Sequence, residues 1–205
     1  MDIVIRPIER KQIPEATQVL AIAFDTDPVM RHLWPNPQHR RWALPRYFRT
    51  MMTRHHVPGG GVEVATADSG DIVGVALWNP PGRWDAAVPE FIRSAPHLAL
   101  ALGHRIPVAL RTRGFLDRIH PHELHWYLCN LAVLPACQRQ GVGSALLRSG
   151  CARCDATGQA AYLVCTREEN VPLYSSAGFA TITRAQLPGG TPLWPMWRET
   201  YGSSR

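Results

Sequence analysis

The sequence predicts an α/β (α+β) fold, with a mixed, twisted sheet of about seven strands flanked by helices. Of its 205 residues, 45% are hydrophobic and 19% are charged. A chain of that size and composition can bury a real core, which excludes disorder as its main state. Segments of strand and helix length alternate in the second half, and this order predicts parallel strands. We therefore predict one domain over residues 1–205.

The first third of the chain predicts one strand and two helices. Ile3–Pro7 alternates in hydrophobicity, as expected of a strand. Ile13–Phe24 has apolar residues at helical spacing and stops before the turn-forming cluster Asp25–Pro28. A second helix is predicted over Gln38–His56, interrupted or kinked at Pro45.

A hairpin and an irregular helical segment follow. Strands are predicted over Val62–Ala67 and Ile72–Asn79, on either side of the turn sequence Asp68–Asp71. Residues 84–119 predict short helices broken by three prolines, Pro89, Pro96 and Pro107. Part of this segment is basic and amphipathic, which leaves a membrane-surface helix open. The prolines favour a helical cover packed on the sheet.

The second half predicts a buried sheet with intervening helices. His125–Leu134 is apolar on both alternating faces, which is typical of a central strand covered on both sides. Glycines end two of the helices that follow. The predicted elements are a helix over Gly141–Thr157, a strand over Ala161–Thr166, a helix over Val171–Ala177, and strands over Phe179–Gln186 and Leu193–Arg198.

Charge and cysteine content restrict the possible partners. The chain has 22 basic and 16 acidic residues, and Lys11 is its only lysine. A basic balance favours an anionic partner such as a phosphorylated small molecule. No aromatic-basic motif accompanies the charge, so we expect no nucleic-acid partner. The five cysteines do not suggest a disulfide framework. No signal peptide or long apolar run is evident, so we expect a cytoplasmic protein without a membrane partner.

A glycine-containing loop connects the predicted central strand to the next helix. Gly141 and Gly143 lie where this helix begins. The N-terminus of a helix presents unpaired N–H groups and partial positive charge, and glycines let an anion approach the backbone. The loop is not the dinucleotide fingerprint, because Leu146 stands at the third glycine position. Nor does a Gly-Lys-Ser/Thr sequence follow, as a P-loop requires.

The pattern Gln138-x-x-Gly141-x-Gly143 resembles the pyrophosphate loop of the GNAT acyltransferase superfamily. Leu131-Ala132-Val133-x-Pro135 is similar to the bulged fourth strand of that family, and Asn170 to Phe179 is similar to the helix after its fifth strand. The resemblance covers Trp126–Phe179. The opening of the chain, with Ile5-Arg6-Pro7 and Asp27-Pro28, also resembles a branch that includes puromycin N-acetyltransferase and many bacterial enzymes.

The resemblance implies acetyl-CoA as cosubstrate, with no metal, bound by a core over residues 122–179. Backbone N–H groups near a bulge at Leu131–Val133 would hold the thioester oxygen. The cofactor-binding positions that the resemblance implies are Leu131, Ala132, Val133, Gln138, Arg139, Gln140, Gly141, Val142, Gly143, Ser144, Thr166, Asn170 and Tyr174.

The resemblance also implies catalytic roles. Tyr174 matches the general acid that protonates the departing thiolate, because a phenol is protonated at neutral pH. Asn170 binds pantetheine or caps its helix, and both alternatives stay open. Several relatives carry a carboxylate in the fifth strand, where this chain has Val164. The candidates for the general base are therefore Glu123 and His125, or a water chain ending on either.

Three functions remain open at this stage. The first is acetyl transfer to a primary amine of a small molecule, by direct attack in a ternary complex; the others are protein or peptide N-acetylation and coenzyme binding without catalysis. The chain would act as a monomer or homodimer.

The histidine-rich stretch His120–His125 does not have the spacing of a closed metal site. Five tryptophans are candidates for the wall of an acceptor pocket, Trp34, Trp42, Trp78, Trp84 and Trp126.

Overall fold

The computed structural model describes residues 2–83 and 87–200, which form one twisted sheet with helices on both faces. The strands are β1 (Ile3–Pro7), β2 (Val62–Ala67), β3 (Ile72–Asn79), β4 (His125–Val133), β5 (Ala160–Cys165), β6 (Ala180–Thr181), β7 (Ala185–Gln186) and β8 (Pro192–Arg198). The helices are α1 (Ile13–Phe24), α2 (Pro28–Leu33), α3 (Pro37–Met51), α4 (Ala87–Leu102), α5 (Ile106–Arg118), α6 (Val142–Ala156) and α7 (Val171–Ser175).

The sheet confirms the predicted mixed α/β class. Its order is β1-β2-β3-β4-β5-β8-β6, and β7 pairs with β8. All neighbours are antiparallel except β4 and β5, which are parallel and are connected through α6. The sheet has eight strands, because the predicted strand over Phe179–Gln186 is divided into β6 and β7.

Two apolar cores lie on opposite faces of the sheet. Helices α1 and α3 cover one face, where Leu20, Phe48 and Leu77 are fully buried. Helix α6 covers the other face and packs against the indole of Trp78. The approach is so close at Gly150 that a β-carbon there would overlap the Trp78 ring. Glycine is therefore required where α6 crosses β3.

The turn predicted at Asp25–Pro28 is confirmed over residues 25–27, and the helix α2, which was not predicted, begins directly after it at Pro28. The carboxylate of Asp27 accepts hydrogen bonds from the backbone N–H groups of Val29 and Met30, at 2.9 and 3.0 Å. Pro28 occupies the first helical position, where its missing N–H costs nothing. The predicted second helix corresponds to α3, which contains Pro45 and continues into a π-helical turn over Met52–His56.

The prediction that prolines break residues 84–119 into short helices is also wrong. Helix α4 passes through Pro89 and Pro96, and Pro107 lies in the first turn of α5. The break between the two helices falls at Gly103, where φ is +51°. Buried contacts of Leu98 and Ala101 with the core offset the hydrogen bond that Pro96 cannot donate. Among the residues described, no helix has the length and apolar character needed to cross a bilayer.

Candidate active site

The parallel strands β4 and β5 separate partway along their length. Their pairing runs from His125 beside Ala160 to Leu128 beside Leu163 and then stops. Both strands continue, β4 through residues 129–133 and β5 through 164–165, while β4 stays paired with β3 on its other side. Beyond Leu128, the edge of β4 that faces β5 therefore has no partner strand. Its backbone N–H and C=O groups are free to bind a ligand in the gap.

A β-bulge explains why the strands separate. Trp78 of β3 lies opposite Leu128, but Leu77 lies opposite Asn130, so Cys129 is an extra residue in β4. An extra residue bends the strand and increases its twist, which ends the pairing with β5. The predicted bulge at Leu131–Val133 is therefore wrong by a few residues. The gap leaves much of β4 only half-buried, although residues of β4 pack in the cores on both faces of the sheet, as predicted for a central strand.

The loop after β4 exposes backbone N–H groups at the start of α6. Arg139 and Gly141 both have positive φ, at +59° and +85°. The N-cap of α6 is Gly141, which supplies no capping side chain, and nothing lies within 4 Å of a β-carbon built on it. The Gln138 amide donates to the carbonyl of Val133 at 3.2 Å and so holds the loop against β4. This geometry suits an anion bound by main-chain donors.

A cavity of about 910 Å³ joins this loop to the gap between β4 and β5. Ten of the positions predicted to bind the cofactor line it: Leu131, Val133, Gln138, Arg139, Gly141, Gly143, Ser144, Thr166, Asn170 and Tyr174. The other three do not. Ala132 and Val142 are buried in the two cores, and the Gln140 side chain donates to the carbonyl of Ala136 at 2.9 Å.

Tyr174 and Asn170 lie on neighbouring turns beside the end of β5. The Tyr174 ring packs edge-on against Phe179, and burial raises the pKa of its phenol above the usual value. The hydroxyl therefore stays protonated at neutral pH. Asn170 occupies the N-cap position of α7, but its side chain makes no capping hydrogen bond. The geometry favours the ligand-binding alternative for Asn170 over the capping one.

The structure does not bring Glu123 or His125 to the cavity. His125 lies at the opposite end of β4, where its Nε2 is 3.1 Å from Nε2 of His120 and its Nδ1 is 2.6 Å from the carbonyl oxygen of Glu123. Burial lowers the pKa of both histidines, to about 3 for His120. They are neutral structural groups at physiological pH. The Glu123 residue is exposed and does not line the cavity.

Sequence reasoning missed a buried carboxylate that lines the cavity, that of Asp27. The residue is 4% exposed, and its Oδ2 accepts a hydrogen bond of 2.5 Å from Oγ1 of Thr166 at the end of β5. Burial raises its pKa, although the hydrogen bonds from Thr166, Met30 and Val29 oppose the shift. An Asp directly before a Pro is a typical helix N-cap. That signal was present, but it gave no indication that Thr166 would be adjacent.

The tryptophans do not form the wall of the pocket. Trp34 is fully buried and donates to the carbonyl of Ala101, at 2.9 Å, while Trp42 packs under the Arg46 guanidinium at the surface. Trp78 and Trp126 flank Arg153 beneath α6, on the other face of the sheet. The remaining candidate, Trp84, lies outside the described residues. No cluster of three potential metal ligands occurs within the part of the chain that the structure describes.

Residues 108–200 match the family model described as an acetyltransferase (GNAT) domain. An uncharacterised N-acetyltransferase of Schizosaccharomyces pombe is 25% identical over 185 residues, which cover 84% of this chain and 72% of that protein.

Solved structures extend the similarity to the whole chain. A Corynebacterium glutamicum structure described as histone acetyltransferase HPA2 and related acetyltransferase is 29% identical, with a TM-score of 0.80 and full coverage of both chains. The Aedes aegypti arylalkylamine N-acetyltransferase 2 has a TM-score of 0.65 at 15% identity, covering 98% of this chain and 100% of that one. At that identity, the second likeness shows the fold alone.

The fold, the family match and these neighbours together support assignment of the chain to the GNAT acetyltransferase superfamily. The protein has a single GNAT-like α/β domain. The same findings support an acetyltransferase of the GNAT type. The finer likeness to the puromycin N-acetyltransferase branch stays a prediction.

The first prediction concerns the loop. We expect Gly141→Val to weaken acetyl-CoA binding about 10- to 100-fold, because the branched side chain would occupy the open space beside the N-terminus of α6. That range corresponds to the loss of one or two hydrogen bonds to a charged group. Isothermal titration calorimetry on the folded variant measures the effect.

The matched control is Gly158→Val. Gly158 also has positive φ and open space around it, but it follows the C-terminal end of α6 and does not line the cavity. Both variants carry the same kind of backbone strain, so both should lower the melting temperature. Equal acetyl-CoA affinity in the two variants would show that the loop does not bind the coenzyme.

Proposed function

We propose that this protein transfers an acetyl group from acetyl-CoA to a primary amine of a small molecule, by direct attack in a ternary complex. The observation that supports this most strongly is the set of groups that line one cavity. Exposed main-chain donors at the start of α6, the gap between β4 and β5, the buried carboxylate of Asp27 and the half-buried phenol of Tyr174 all line it.

The coenzyme would be bound mainly by backbone groups and less by side chains. Its pyrophosphate would lie against the N–H groups at Gly141–Ser144, where the helix dipole favours negative charge. Its pantetheine arm would enter the gap and pair with the unpartnered edge of β4, much as a strand would. Asn170 would add a side-chain amide at the rim of the gap.

The buried thiols support direct transfer over an acyl-enzyme. Cys129 and Cys165 both line the cavity. Burial raises the pKa of the Cys129 thiol well above its usual value, and that of Cys165 to about 11. Only a thiolate is an effective nucleophile, and neither thiol is ionised near neutral pH. The amine itself is then the group that attacks the thioester carbon.

Asp27 would receive the amine. Its carboxylate is buried in the wall of the cavity and is held by three donors that fix its orientation. It would attract the substrate ammonium and take its proton, directly or through water, because its raised pKa makes it a better base than an exposed aspartate. The free amine then forms the amide bond as the carbon–sulfur bond breaks.

Tyr174 would protonate the departing thiolate. Its phenol is neutral because burial opposes ionisation, and solvent would return the proton after coenzyme A is formed. Nitrogen loses two protons in the overall reaction, sulfur gains one, and one is released. The absence of a carboxylate at Val164 favoured a coenzyme-binding regulator, but Asp27 offers a carboxylate from α2 instead.

The second prediction tests the proposed acid. We expect Tyr174→Phe to keep the acetyl-CoA Kd within a few-fold and to lower kcat about 10²-fold, since only the leaving thiolate needs the hydroxyl. The rate of free-thiol release, measured with an amine that the wild-type protein acetylates, reports kcat. Melting temperature on the same preparation reports folding.

Tyr162→Phe is the control for this measurement. The Tyr162 hydroxyl donates to the carbonyl of Ile119 at 3.1 Å and does not line the cavity. Its loss should cost about 1 kcal/mol of stability and leave kcat per folded molecule unchanged. If Tyr174→Phe behaved like this control, Tyr174 would be structural.

The third prediction tests the proposed base. Asp27→Asn keeps an oxygen that can accept the N–H groups of Val29 and Met30, but it removes the charge and the basicity. We expect kcat/KM for the amine to fall about 10²-fold. The pH dependence of kcat/KM should also lose its acidic limb.

Asp25→Asn provides the matched charge control. Asp25 lies two residues away, pairs with Arg40 and Arg41 at 3.1 and 3.3 Å, and does not line the cavity. This change should affect stability without changing the pH profile of kcat/KM. An unaltered acidic limb in Asp27→Asn would assign the proton transfer to another group.

A further inference from the structure

Helices α4 and α5 present one apolar face each to the cavity. The α4 positions that line it recur at the spacing of a helix face, namely Ala95, Leu98, Ala99 and Leu102. The α5 positions follow the same rule and are Ile106, Ala109, Leu110, Thr112, Arg113 and Leu116. Leu100 of α4 points away and is 64% exposed. Two helices thus cover part of the cavity with mostly aliphatic side chains.

The opposite wall is apolar as well. It is formed by the end of α1, by α2 and by α3, with Phe24, Val29, Met30, Leu33 and Met51. We call the space between these residues and the α4 and α5 faces the acceptor chamber. The total cavity volume of about 910 Å³ lies near the top of the usual range of about 300–1,000 Å³ for small-molecule pockets. It has room for an acceptor body beside the coenzyme arm.

The charges that line the cavity are unevenly distributed. Asp27 and Glu169 are its carboxylates among the described residues, and Glu169 is largely exposed and pairs with Arg167 at 3.1 Å. The acceptor chamber contains no carboxylate from the described residues, while α5 contributes Arg113 to it. A second ammonium on the acceptor would enter an apolar space in which the described part of the chain supplies no acidic partner. Burying an unpaired charge in such a place is costly.

We propose that the acceptor is a primary monoamine with an uncharged, apolar body, alkyl or arylalkyl in character. This inference rests on the proposed function, because it assigns the ammonium to Asp27 and the body to the acceptor chamber. Polyamines are disfavoured, since the described residues offer their second ammonium no acidic partner there. Lysine-rich peptides are disfavoured for the same reason.

A matched pair of acceptors tests the charge argument. Hexylamine and 1,6-diaminohexane have the same carbon chain and differ in one ammonium. With the full chain and saturating acetyl-CoA, we expect kcat/KM from thiol release to favour hexylamine about 10²-fold. Phenethylamine should also be turned over, and a lysine-containing peptide should be far slower than either monoamine. A preference for the diamine or the peptide would overturn the inference.

Variants on α4 test the location. Ala99→Phe adds bulk to the chamber, whereas Leu100→Phe places the same ring on the exposed face of the same helix. We expect Ala99→Phe to lower the ratio of kcat/KM for phenethylamine to kcat/KM for ethylamine at least about 10-fold, with both values measured on the same preparation. The ratio does not depend on the folded fraction. Equal ratios in the two variants would show that the acceptor body lies elsewhere.

The outcomes also separate the two proposals. Thiol release with the diamine or the peptide alone would retain the acetyltransferase reaction and reject the monoamine class. No release with any acceptor, in a protein that still binds acetyl-CoA, would reject the catalytic function and the acceptor class with it.

Discussion

A single extra residue in a central strand determines much of what this molecule can bind. Cys129 interrupts the pairing of β4 with β3, and directly after Leu128 the strand leaves its parallel neighbour β5. Paired strands would satisfy their own backbone groups. Separated strands leave main-chain donors and acceptors beside a cavity, at a depth where only a ligand or water can satisfy them. The Gly141 loop and the proposed acid lie at the edges of this gap.

The second constraint is a long-range link between the start of the chain and the end of β5. Thr166 donates to Asp27, and Arg167 donates to both oxygens of Thr26, with distances of 2.5 and 2.8 Å. These contacts hold the N-terminus of α2 against the gap and place a buried carboxylate in its wall. The same carboxylate caps α2, so one side chain couples local helix geometry to the site.

Local sequence patterns predicted the elements whose formation depends on interactions between neighbouring residues. The strands β1 to β4, the helix α1 and the Gly141 loop follow from hydrophobic period and from turn or cap residues, and the structure confirms them. The position of the proposed base did not follow, because Asp27 and Thr166 are 139 residues apart in sequence. The tryptophan prediction failed because an indole is equally suited to a core or to a pocket. Helix α4 continues through Pro96 since tertiary packing outweighs one lost hydrogen bond.

A crystal structure with bound coenzyme A tests the account most directly. We expect the pyrophosphate to lie against the backbone N–H groups of Gly141–Ser144. The pantetheine arm should run between β4 and β5 beyond Leu128 and Leu163, with its sulfur beside Tyr174. Coenzyme bound outside the gap, or β4 and β5 paired along their whole length in the complex, would contradict it.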